Sequence, residues 1–209
     1  MLQFDKVHKS YDHLAVFEIP WLKLERKIYW LQGPNGSGKT TFLRMLAGLI
    51  PFKGSITLDG INLLEQPLPY RRLTSFAESE PLYPPFVTGM DLLNFYQDIR
   101  KTDASQTDML IHFFRMYNLL SLPIGSYSSG MLKKLSLLLA FTGRPSLILL
   151  DEPFSTLDEA TIHQMPELIN AYHKEFGTSF IFSSHQPFNS HRQEILRILI
   201  VDQTLQLVA

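Results

Sequence analysis

Hydrophobic and polar positions along the chain follow two different periods. Near the start, "LQFDKVHK", "KIYWLQG" and "GSITLDG" read as short strands, the last bracketed by glycines. A glycine-rich loop follows "KIYWL". After it, in "TTFLRMLAGLI", Phe42, Leu43, Leu46 and Leu49 or Ile50 recur at helical spacing, and Gly48 and Pro51 stand where a helix would stop. That is strand, loop, helix. From about Pro81 to Gly143 the pattern is helical, in "MDLLNFYQDIR", "TDMLIHFFRMYNLL" and "GMLKKLSLLLAF", with no strand pattern among them. Strands return in "SLILLDE", "SFIFSSH" and "ILRILIVD". These are near-continuous apolar runs, as in a parallel sheet covered on both faces. A helical stretch from about Glu159 to Phe176 lies among them. The pattern predicts one α/β domain over residues 1–209. Its core is 1–80 and 144–209, and a helical subdomain, 81–143, is inserted in the middle.

Composition narrows the classes. Charged residues make up 19% of the chain and the formal net charge is -1, so no basic field argues for a nucleic-acid partner. There is no cysteine, which excludes structural disulfides and Cys-ligated zinc. "MLQFDKVHKSYD" carries charge and lacks an apolar core region, so it does not read as a secretory signal. No apolar run approaches the ~18 residues a membrane span needs. "LSLLLAF" and "LILL" are cut off by Gly143, Arg144 and Asp151. A soluble chain is expected, with any membrane role reached through a partner.

The loop itself is Gly33-Pro34-Asn35-Gly36-Ser37-Gly38-Lys39-Thr40, followed by Thr41. It satisfies G-x-x-x-x-G-K-[ST] with a strand before it and a helix after it. Glycines let backbone N–H groups turn into a concave anion nest, and the helix start adds its positive end. Lys39 supplies a cation to the β- and γ-phosphates, and Thr40 offers a hydroxyl to Mg²⁺. The pattern predicts a bound nucleoside triphosphate. It does not by itself separate a small-molecule kinase, a GTPase and an ATP-driven machine.

"SLILLDEP" puts Asp151 and Glu152 at the end of an apolar strand. Ligands of open α/β sheets bind at the carboxyl ends of strands. Asp151 is the expected Mg²⁺ partner opposite Thr40. Neighbouring side chains on an extended backbone point to opposite sides, so Glu152 is expected to serve the attacking water instead.

With these residues in view, the chain resembles the nucleotide-binding domain of an ATP-binding cassette (ABC) transporter over nearly its whole length. "GPNGSGKTT" resembles the Walker A loop and "LILLDEP" Walker B with its catalytic glutamate, Glu152. "STLD", ending in Asp158, resembles the D-loop, and "FSSH" ends in His185, which matches the switch histidine. "SYDHLAVF" puts Tyr11 where the family stacks an aromatic on adenine. "YSSGM" resembles the signature L-S-G-G-Q. Tyr127, Ser129 and Met131 depart from it, and Ser128 and Gly130 keep it. A helix with Leu132, Leu135 and Leu139 on one face starts there, capped by Ser128 or Ser129. The family's Q-loop glutamine falls on Glu78, or two residues on at Glu80. A carboxylate at that place could ligate Mg²⁺ more strongly than an amide.

The resemblance implies an ABC-ATPase fold of the P-loop NTPase class, with a mostly parallel core sheet, an N-terminal antiparallel β part and the inserted helical subdomain. It implies ATP and Mg²⁺ as ligands and transmembrane permease subunits as partners. It also implies a second ATPase subunit, as a homodimer, whose nucleotide meets Ser128, Ser129 and Gly130. The place implied is cytoplasmic, peripheral on the inner face of the cell membrane. The chain stops soon after "ILRILIVD", a brevity that resembles the short cassettes of export systems, including the heme-exporter type of cytochrome c maturation. Two other classes fit less of the sequence. A cassette ATPase acting on DNA or ribosomes would carry a long coiled-coil insertion, a tandem duplication or a basic surface. A P-loop kinase of metabolites would leave "YSSGM", "STLD" and His185 without a role.

Overall fold

The structure, a computed structural model, describes residues 1–12, 14–184 and 195–208. In chain order the elements are β1 (Leu2–Tyr11), β2 (Leu14–Leu24), β3 (Ile28–Gln32), α1 (Lys39–Leu46), β4 (Lys53–Leu58), β5 (Ile61–Asn62), α2 (Pro67–Leu73) and β6 (Thr74–Ala77). The helices α3 (Gly89–Arg100), α4 (Ala104–Phe114) and α5 (Ser129–Phe141) follow. Then come β7 (Leu147–Leu150), α6 (Glu159–Phe176), β8 (Ser179–Ser183), β9 (Ile195–Val201) and β10 (Thr204–Val208).

Two sheets result. A four-stranded antiparallel sheet has the order β2-β1-β4-β5. A six-stranded sheet has the order β10-β9-β3-β8-β7-β6 and is parallel except where β10 pairs with β9. The parallel strands explain the unbroken apolar runs. Successive side chains of a strand face opposite sides. Leu147 and Leu149 of β7 enter the core beneath the antiparallel sheet, whereas Ile148 and Leu150 enter the core beneath α3–α6. In β8, Ile181 goes to the first core and Phe180 and Phe182 to the second. Each such side chain stabilises the fold by roughly 1.5–3 kcal/mol relative to leaving it in water. The run "ILRILIVD" differs from that expectation: β9 is only partly buried along its length.

Helix α1 lies between the two sheets, in the first core. Phe42 stacks on Phe4 of β1 with ring centroids 5.7 Å apart and tilts against Phe17 of β2 at the same separation. The start of α1, where the loop sits, is thus held against the antiparallel sheet. The strand β2 was not expected from the sequence pattern. It carries Pro20 in its middle, which a sheet tolerates on an outer strand, and β2 is the edge of its sheet. Among the described residues no helix is long and apolar enough to cross a membrane.

Candidate phosphate-binding site

Helix α1 begins at Lys39 with Gly38 as its N-cap. Gly38 has φ +99°, no side chain caps the first turn, and that turn holds no acidic residue. The first amides of the helix are therefore left to a ligand or to solvent. A Cβ at Gly38 would lie 2.9 Å from both Val16 Cγ1 and Phe17 Cζ, so only glycine fits. Among the described residues the Ser37 hydroxyl is buried without a hydrogen-bond partner. Lys39 Nζ donates to its own loop, to Gly33 O at 2.9 Å and Pro34 O at 3.1 Å. A cavity of about 360 Å³ opens over these groups, lined by Asn35, Gly36, Gly38, Lys39, Thr40, Thr41, Asp151 and Glu152. Uncapped amides and an ammonium around one hollow fit a chain of phosphates.

The acidic end of β7 closes the other side. Asp151 is 1% exposed. Its Oδ2 accepts from Thr40 Oγ1 at 2.8 Å, and its Oδ1 accepts from Ser183 Oγ at 2.7 Å. Ser183 Oγ in turn accepts from the Glu152 N–H at 3.0 Å. Ser183 was not singled out from the sequence. It sits in "FSSH", one strand over, and its role depends on a contact between β7 and β8. Glu152 has φ +46°, so the chain turns there and is not extended. The argument that alternation separates the two carboxylates does not apply. Both line the same cavity.

A divalent ion has two natural ligands here, the Thr40 hydroxyl and the Asp151 carboxylate. Few protein ligands and several phosphate oxygens suit Mg²⁺. Glu78 does not join them. Its carboxylate pairs with Arg44 Nε at 3.1 Å and lines a different groove. Its backbone carbonyl accepts from Lys133 Nζ at 2.9 Å. Glu78, expected as a metal ligand, lies in this structure against Arg44 and not in the phosphate cavity. Glu80 is exposed.

Tyr11 ends β1 and is half exposed, with Lys9 Nζ 4.2 Å from its ring centroid. The adjoining strand supplies the Val16 and Phe17 contacts to Gly38, so this end of the hairpin neighbours the loop, although Tyr11 does not line the phosphate cavity. Ser128, Ser129 and Gly130 form the start of α5. Ser128 is the N-cap, accepting from the Met131 N–H at 3.3 Å, and none of the three lines the cavity. Asp158 caps α6 through the Thr161 N–H at 2.9 Å and pairs with Lys134 of α5. That ammonium, with the Thr161 bonds, holds the Asp158 carboxyl well below the usual range. His185 lies outside the described residues.

The sequence reading also passed over Lys133. It is 1% exposed and donates to three backbone carbonyls, Asp151 O at 2.8 Å, Glu78 O at 2.9 Å and Ser79 O at 3.3 Å. Burial pushes its ammonium down to about 8 against the pull of Asp151 and Glu152. "MLKKLS" offers no local signal for this, because a lysine in a helix is usually solvated.

Fold and site together define a P-loop nucleotide-binding ATPase of α/β architecture. Residues 22–155 match the ABC transporter family, and the chain belongs to that family as an ATP-binding subunit. It is 33% identical over 192 residues to the uncharacterized ABC transporter ATP-binding protein YxlF of Bacillus subtilis, covering 88% of this chain and 62% of YxlF. It is 29% identical over 187 residues to the lantibiotic transport ATP-binding protein SrtF of Streptococcus pyogenes, covering 88% of this chain and 80% of SrtF. Among solved structures it superposes on a dimeric ATP-binding cassette in a post-hydrolysis state with ADP and Pi. The TM-score is 0.84 and the identity 18%, covering 100% of this chain and 98% of that one. That last likeness speaks for the fold alone.

Proposed function

We propose that the chain hydrolyses ATP to drive translocation by transmembrane permease subunits, working as one of two copies in a head-to-tail ATP sandwich. The observation that carries this is the hydrogen-bonded line Thr40–Asp151–Ser183–Glu152 at the mouth of the phosphate cavity. In this reading it holds the metal-binding pair beside Glu152, which it reaches through the backbone N–H and whose carboxylate is assigned to the water.

In this reading Gly33 to Thr41 wrap the phosphates, and Lys39 gives up its loop carbonyls for β- and γ-phosphate oxygens. Thr40 and Asp151 would hold Mg²⁺, which neutralises phosphate charge when bound. Glu152 orients a water and takes its proton as the oxygen bonds to the γ-phosphorus. The bond to the bridging oxygen breaks, and ADP and phosphate leave. His185 is assigned to the γ-phosphate and Tyr11 to the adenine. Ser128, Ser129 and Gly130 meet the sister copy's nucleotide through the α5 N-terminus. They do not reach their own cavity, which supports that assignment.

The permease is assigned to the groove beside α3, a cavity of about 350 Å³ lined by Glu78, Pro81, Leu82, Tyr83, Phe95 and Ile99 among others. Leu82 is 91% exposed there and Phe86, close by in sequence, 81%. Apolar side chains so exposed suit a protein partner. The division into a catalytic core (1–80 and 144–209) and a helical arm (81–143) follows the same reading, as does a place on the inner face of the membrane. The SrtF name, lantibiotic transport, fits a shared engine whose cargo is chosen by the membrane subunits.

The test uses two variants. Lys39→Ala should lose tight ATP binding. Glu152→Gln should keep ATP and elute as an ATP-dependent dimer with turnover lost. A Glu152→Gln protein that hydrolyses ATP at the wild-type rate would overturn the assignment of the base.

A further inference from the structure

We propose that Lys133 is a positioning residue that ties the acidic end of β7 to the segment walling the apolar groove, so that nucleotide at the phosphate cavity is felt at residues 78–87. This rests on the ATPase reading above. The tether is a single ammonium with three donors and three acceptors. One is the carbonyl of Asp151, the residue facing the phosphate cavity. The other two are the carbonyls of Glu78 and Ser79, where the chain leaves β6. An ammonium this buried is tolerated only with its donors satisfied, so the three segments cannot separate without cost.

Two more features extend the line. The Asp151 N–H donates to Ala77 O at 2.9 Å, which fixes the same strand end to the base of the segment. Tyr83 lines the same groove as Ser136, three residues along α5 from Lys133. Pro81, Leu82, Tyr83 and Ser136 all line the groove. A ligand that moves or stiffens Asp151 therefore acts on Lys133, and through it on the groove wall. Close-packed interiors pass on such displacements and do not absorb them.

The experiment measures amide hydrogen exchange of residues 78–87, whose amides exclude Pro81, Pro84 and Pro85, with and without ATP and Mg²⁺. Wild type, Lys133→Met and Lys133→Gln are compared, and binding of a fluorescent ATP analogue is followed separately. In wild type, exchange should slow at least about fivefold, the low end of ordinary coupling between sites. Lys133→Met, similar in length but without donors, should bind the analogue and lose that response. Lys133→Gln keeps two donors and should recover part of it, which a merely structural residue would not do. A Met variant that binds the analogue with the full response overturns the tether, as does a wild type that binds it with no change at 78–87. If the Met variant does not fold, a Gln variant with a response equal to wild type overturns the tether and a reduced one supports it. A wild type that fails to bind the analogue removes the ATPase reading itself, and the tether with it.

Discussion

Replacing Gly130 by alanine adds one methyl at a place where the backbone leaves no room. A Cβ at Gly130 would lie 2.8 Å from Thr156 O, closer than real Cβ atoms come to a neighbour. The oxygen cannot retreat freely. On one side Ser155 is held by its N–H, 3.2 Å, and its hydroxyl, 2.8 Å, both donating to Glu152 O. On the other side Asp158 is held by α6 and by Lys134. Thr156 itself has φ +61°, a costly conformation for a β-branched residue. Overpacking of this kind costs about 1–3 kcal/mol. Against it, alanine gains up to about 1 kcal/mol over glycine inside a helix, and less in the first turn. The net loss should be about 1–2 kcal/mol, a fall in Tm of about 2–8 °C for a chain of this size. Urea denaturation of Gly130→Ala checks it. Thr156→Gly, which relaxes the carbonyl, should recover at least about 0.5 kcal/mol of the loss in the double variant. A Gly130→Ala protein with the wild-type midpoint, or a loss unaffected by Thr156→Gly, would refute the close-contact argument.

Three other outcomes follow from the same geometry. Ser183→Ala leaves the Glu152 N–H and the buried Asp151 Oδ1 without their shared hydroxyl, and should cost about 2–3 kcal/mol in urea midpoints. Glu78→Gln should leave the Mg²⁺ dependence of ATP binding unchanged, because that carboxylate faces Arg44; titrating Mg²⁺ at fixed ATP checks it. Asp158 has its folded pKa depressed by Lys134, so its contribution is present above the unfolded value of about 3.9 and fades as pH falls below it. Asp158→Asn keeps the helix cap, so its stability deficit should shrink between pH 6 and roughly pH 3. The carboxylate is 42% exposed, so solvent screening keeps the effect below about 1 kcal/mol. Urea midpoints across that range decide it.

What could be read from the sequence was what local spacing controls. Gly33 to Thr40 is a phosphate loop because the glycines and Lys39 are near neighbours in the chain, and the flanking strand and helix announce themselves by period. The helix read at about Glu159 to Phe176 is α6, and Ser128, one of the two caps considered for the signature helix, is the one used. The short elements escaped. The helix α2 and strand β6 share "PLPYRRLTSFA", too brief for either period to show, and β10 is five residues long. The charged and polar partners escaped for a stronger reason. Ser183 acts 32 residues from Asp151, and Lys133 acts 55 residues from Glu78. Neither distance along the chain has a pattern to carry it. Glu78 shows the same limit from the other side: its place in the order of motifs was readable, but its carboxylate's partner, Arg44, lies 34 residues away. The motif order names the parts of the engine, and side chains that meet only through the fold decide how those parts are joined.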